Sequence, residues 1–114
     1  MYLLLLTGLV SVEKIHLTTQ LARYFADQGE RVAVLDNISR LHIDPATLPA
    51  SVTYQQINGP VDFAADLNDI HADRVLLALS ETAEPAQTFT GLLDVPAGTA
   101  IYTLALIDTR TCDC

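Results

Sequence analysis

The sequence predicts an α/β domain: one three-layer unit with a mostly parallel sheet of about five strands and helices on both faces. Three observations carry this. The runs 2–7 (YLLLLT), 31–36 (RVAVLD), 74–80 (RVLLALS) and 100–107 (AIYTLALI) are continuously apolar rather than alternating, the pattern of strands buried on both faces. Segments with helical spacing lie between them. No repeat, low-complexity stretch or long linker divides the chain, so residues 1–114 read as a single domain, with 111–114 expected to be a flexible cysteine-containing tail.

Taken in order, the first strand, 2–7, runs into Gly8. Residues 14–28 then place Leu17, Leu21, Tyr24 and Phe25 on one side of a helix closed by Gly29 as its C-terminal cap. The strand 31–36 ends in an acid and completes a βαβ unit. Residues 38–50 hold Pro45 and Pro49 and read as loop, followed by a weaker strand at 52–57 (VTYQQI) and a turn at Asn58-Gly59-Pro60. Val61, Ala64 or Ala65, and Leu67 or Ile70 mark a short helix over 61–71. After strand 74–80, residues 84–93 suggest another short helix with Pro85 in its first turn, and 100–107 is the last strand.

In such sheets the ligand crevice lies at the carboxyl ends of the strands. The residues to inspect are Gly8 to Lys14, Asp36 to Ser39, Asn58, Ser80 to Thr82, and Asp108 to Arg110. Composition narrows the partners. Six Lys and Arg face fourteen Asp and Glu for a net charge of −8, a field that repels phosphate backbones and anionic membranes alike. Tyr2 to Val10 is too short an apolar run to span a bilayer as a helix, and no basic residue precedes it as in a secretory signal, so a cytoplasmic protein is expected. The two cysteines, Cys112 and Cys114, lie too close together at one end to staple a core.

Lys14 is the only lysine in the chain. It lies in Gly8–Ile15 (GLVSVEKI), which keeps the first glycine and the lysine of the phosphate-binding pattern GxxxxGK[ST] in a strand-loop-helix context and loses the other two defined positions. With the following HLTTQLARYFADQGERVAVLDN, the chain resembles the deviant Walker-A ATPases of the MinD and ParA type, within the P-loop NTPases. Members carry a KGGxGKT-type loop, a TTxxxLAxxLAxxG helix and an RVLLxD strand. The resemblance covers residues 1–37 well; RVLLALSE and AIYTLALIDTR are similar in outline to the last third of such proteins. Members are considerably longer, which implies a middle trimmed of, among other parts, the strand ending in the metal-side aspartate.

The resemblance implies cofactor-binding roles for Gly8, Ser11, Lys14 and Asp36, should ATP bind. Lys14 matches the lysine that contacts terminal phosphates, and Asp36 a family aspartate near the metal and attacking water. The departures weigh against that chemistry. Ile15 stands where a Ser/Thr would hold Mg²⁺, Thr18 and Thr19 lie about a turn too far along to replace it, and Leu9 stands at the signature lysine. Val10 and Ser11 replace glycines of the anion nest. Glu13 replaces the glycine before the lysine, where any φ > 0 geometry would cost a side chain roughly 1–2 kcal/mol. Its carboxylate at ~5 Å from a phosphate oxygen, with an effective dielectric of ~20, adds about 3 kcal/mol, on the order of a hundredfold in affinity. Strand 74–80 ends in Ser80 and Glu81, with no Walker-B aspartate. The plainer alternatives are a solvated first-turn Lys14 paired with Glu13 or Asp36, and an Asp36 that caps a loop.

The other candidates are weaker. His16, His42 and His71 lack ligand spacing, and no GxSxG supports a nucleophile. Asp62, Asp66, Asp69 and Asp73 read as one solvated helix face. Cys112 and Cys114 could ligate a soft metal, yet two thiolates are too few for a closed tetrahedral site. The sequence therefore points to a non-enzymatic, pseudo-NTPase-like interaction or regulatory module without a cofactor, acting through a protein partner or a homodimer in which Leu9 and Val10 serve as a contact. The alternatives are a nucleotide binder or weak ATPase using Lys14 and Asp36, and a metal or redox role for the CxC tail.

Overall fold

The computed structural model describes residues 2–8, 11–38, 42–58, 61, 67, 70–79 and 98–106. They form strands β1 (Tyr2–Gly8), β2 (Val32–Asp36), β3 (Thr53–Gln56), β4 (Arg74–Ala78) and β5 (Ala100–Leu106), with helix α1 (Ser11–Asp27) between β1 and β2. All five strands are parallel, in the order β3-β2-β4-β1-β5. This is the expected α/β sheet, and each strand falls within two residues of its predicted bounds at either end.

The continuous apolar runs have the predicted cause. Leu3 and Leu5 of β1, Ala33 and Leu35 of β2, and Val75 and Leu77 of β4 point to one face, while Leu6, Val34 and Leu76 point to the other. All are buried, so each strand must be apolar at successive positions. α1 covers the second face with Ile15, Leu17, Leu21, Ala22 and Phe25; Ile43, Leu48 and Val52 extend the cover over β2 and β3. The first face is covered by Ile57, Val61, Leu67 and Ile70. Those contacts match the apolar positions expected of a helix at 61–71, although most of that segment, and all of 84–93, lie outside the described residues.

α1 starts at Ser11, three residues before its predicted start, and ends at Asp27, one residue before its predicted end. Gly29 has φ 82°, its N–H donates to the Ala26 carbonyl and that of Glu30 to the Phe25 carbonyl, a Schellman cap that requires a residue able to adopt positive φ. Pro45–Thr47 forms one 3₁₀ turn, capped by the Asp44 carboxylate, inside the predicted loop. Asp73 departs from expectation: it sits in the turn before β4, not on a helix face. It accepts from the Arg31 backbone N–H at 2.9 Å, which, ahead of the Arg31 side chain, holds its carboxyl below the usual range. Among the described residues, no helix is long and apolar enough to cross a membrane.

Candidate functional site

The sheet order has a topological switch point. From β1 the chain moves outward to β2 and β3, returns to place β4 between β2 and β1, and then puts β5 beyond β1. The carboxyl ends of β1 and β4 flank this switch point, where open α/β sheets bind ligands. The residues proposed for cofactor contact converge here: Gly8 ends β1, Ser11 opens α1, and Lys14 lies one turn into the helix. Asp36 ends β2 on the other side of β4.

Lys14 is buried. Its side chain is 0% exposed, and Nζ donates to the Leu79 carbonyl at 2.8 Å, just past the end of β4. Leu79 N–H in turn donates to the Leu6 carbonyl of β1 at 3.0 Å, and the Thr18 hydroxyl to the Lys14 carbonyl at 2.6 Å. The ammonium therefore fastens the first turn of α1 to the carboxyl end of β4. This corrects the reading of Lys14 as a solvated first-turn residue. Its stem reaches inward because position 14 falls on the buried side of α1, with Thr18 and Ala22, while Glu13 faces solvent.

The backbone around Lys14 also differs from a phosphate cradle. Because α1 begins at Ser11, Glu13 and Lys14 are already helical, and only Leu9 and Val10 separate the strand from the helix. Among the described residues no non-glycine has positive φ, so Glu13 carries none of the strain expected of a cradle conformation. Leu9 and Val10, proposed as a contact, lie outside the described residues.

Asp36 organises the loop that follows β2. Its carboxylate is buried; one oxygen accepts the Ile38 N–H at 3.1 Å, and the other accepts the Ile43 N–H at 2.8 Å and the Tyr54 hydroxyl at 2.6 Å. His42 Nδ1 lies 3.3 Å from the same oxygen. Such a buried carboxylate is tolerable because neutral donors surround it. The Tyr54 phenol is pushed up to about 12, first by burial and then by its hydrogen bond to Asp36, against a smaller opposing hydrogen bond to Gln56. Asn37 is also buried: its N–H donates to the Ala78 carbonyl and its Nδ2 to the Ile57 carbonyl. This is the loop-capping role considered for Asp36. Sequence reasoning missed Tyr54 and the Leu79 carbonyl, and set His42 aside for lack of ligand spacing. Tyr54 and His42 reach Asp36 only through the β2–β3 pairing and the returning loop, and a main-chain carbonyl leaves no side-chain signature.

His16 and His71 are exposed. The Thr19 hydroxyl bonds back to the Ile15 carbonyl, as that of Thr18 does to Lys14. Among the described residues, no group of three or more His, Cys, Asp or Glu side chains is placed to hold a metal ion. Cys112 and Cys114 lie outside them. No family model, curated protein or solved structure matches this chain.

Proposed function

We propose that this domain is a non-enzymatic interaction module, a pseudo-NTPase-like sheet whose phosphate-contacting lysine has become part of the core. The burial of Lys14 against the Leu79 carbonyl carries the reading. For Nζ to meet a phosphate it would have to leave that carbonyl, and an orphaned buried acceptor costs about 1–3 kcal/mol. Glu13 in the first turn of α1 adds like-charge repulsion, and Ile15 offers no hydroxyl to a metal ion.

Calorimetric titration with ATP or GTP and Mg²⁺ tests the reading. The expected result is no affinity tighter than roughly millimolar. Lys14→Ala should lower stability by about 2–4 kcal/mol, from the lost hydrogen bond and the vacated stem, without altering any nucleotide response. Micromolar nucleotide binding that Lys14→Ala abolishes while the fold stays intact would instead establish the nucleotide-binding alternative.

A further inference from the structure

We propose that Asn58 is a site of spontaneous covalent modification, at which the side-chain amide is lost and an aspartate or isoaspartate is left. The proposal goes beyond the interaction-module reading and stands or falls without it. Asparagine is thermolabile, because its amide carbon lies within reach of the backbone nitrogen of the next residue. The chain holds three asparagines, Asn37, Asn58 and Asn68, followed by Ile38, Gly59 and Asp69. Asn58 alone is followed by glycine, which has no Cβ to hinder the approach of that nitrogen.

The fold sharpens the contrast. Pairing of β3 with β2 ends at Gln56, and one further backbone bond, from the Ile57 N–H to the Asp36 carbonyl at 2.8 Å, continues it. Asn58 follows, outside any strand, and is exposed. Asn37 is the opposite case. It is 5% exposed, and its Nδ2, the group that would leave, donates to the Ile57 carbonyl at 3.0 Å. The nitrogen that would attack is engaged as well, since the Ile38 N–H donates to the Asp36 carboxylate at 3.1 Å, and Ile38 is β-branched. At Asn37 both reacting groups are thus held by other partners. Asn68 lies outside the described residues, and the side chain of Asp69 hinders the nitrogen that follows it.

The chemistry needs only solvent. The Gly59 nitrogen attacks Cγ of Asn58, the new N–Cγ bond forms as the Cγ–Nδ2 bond breaks, and ammonia leaves with the proton from Gly59. Water then opens the resulting succinimide. Cleavage of the N–Cγ bond gives aspartate on an unaltered main chain; cleavage between the same nitrogen and the main-chain carbonyl carbon of residue 58 gives isoaspartate, with the chain running through Cγ. One water enters, one ammonia departs, and nothing is oxidised or reduced. Either product adds a negative charge to the net −8, next to the segment that Ile57 fastens to the end of β2.

The full chain, incubated in mildly alkaline buffer, is expected to gain an acidic species on isoelectric focusing. Peptide mapping with fragmentation should place the conversion at Asn58, as a mixture of aspartate and isoaspartate, while Asn37 and Asn68 stay intact. Gly59→Ala should slow it about tenfold, a barrier increase of ~1.4 kcal/mol, and Asn58→Gln should remove the acidic species. Circular dichroism checks that both variants keep the fold. A synthetic peptide of residues 54–62 calibrates the time course. A protein that stays unconverted at Asn58 while the peptide converts would overturn the proposal. So would equal conversion at Asn37 or Asn68, or a rate that Gly59→Ala leaves unchanged.

Discussion

Two residues singled out for phosphate chemistry, Lys14 and Asp36, are both buried and both occupied by protein groups. Charged side chains are tolerated inside a domain only where hydrogen bonds replace lost water, and each of these has found main-chain partners. Asp36 gathers the Ile38 and Ile43 amides, so the chain after β2 is folded back on the strand it has just left. Tyr54 adds a hydroxyl from the neighbouring strand, and its removal is measurable. Tyr54→Phe is expected to cost about 1.5–3 kcal/mol in urea unfolding at neutral pH, the range for a hydrogen bond to a charged group. The folded-state phenol is raised to about 12 from an ordinary value of 10, so its contribution is fully present below pH 10 and is lost as pH rises through 12. The gap between wild type and Tyr54→Phe should therefore be constant from pH 7 to 9 and close between pH 10 and 12. A gap that persists unchanged at pH 12 would contradict the role assigned to this hydroxyl.

At the scale of elements, α1 is held at both ends by different means. Its first turn is tied to β4 through Lys14, and its last turn through Arg74. The Arg74 guanidinium lies 4.0 Å from the centroid of the Phe25 ring and 4.8 Å from that of Tyr2, while its Nε donates to the Glu30 carboxylate at 2.8 Å. A planar cation can stack and donate at once; an ammonium cannot match that geometry. Arg74→Lys should consequently lower stability by about 1–2 kcal/mol, whereas Glu30→Gln should cost less than about 1 kcal/mol, because the ion pair is partly solvated. Thermal unfolding of the two variants side by side decides the matter. Equal losses would place the stabilisation in the ion pair instead of the stacking.

At the scale of the molecule, both faces of the central strands are covered, but the two edges are not alike. β2, β4 and β1 form the centre and are buried on both sides; β3 is polar, and β5 is apolar and exposed. Leu77 sits at the middle of the face opposite α1, among Leu5, Leu35 and Val75. Leu77→Ala is expected to cost about 2–5 kcal/mol, since neighbours fixed on three strands cannot collapse into the space it leaves. Urea unfolding should show that loss as a shift of the midpoint with an unchanged slope. A loss below about 1 kcal/mol would mean that this face is less tightly packed than its burial indicates.

The sequence by itself determined the strands, α1 and its cap. Continuous apolar runs, helical spacing and Gly29 reflect local geometry and burial, which leave their mark position by position. It also determined which ends of the strands carry the connecting loops, because all the strands run parallel. It determined that Lys14 stands at the head of α1, but not where its ammonium goes. Only the tertiary structure decided that, since the acceptor is the main-chain carbonyl of Leu79, 65 residues away, brought there by the insertion of β4 beside β1. The same insertion leaves β5 at the edge, and thus exposes a run whose composition alone reads as interior. Apolar character is a property of the residue; whether it faces a core or lies at an edge depends on the order in which strands are laid side by side.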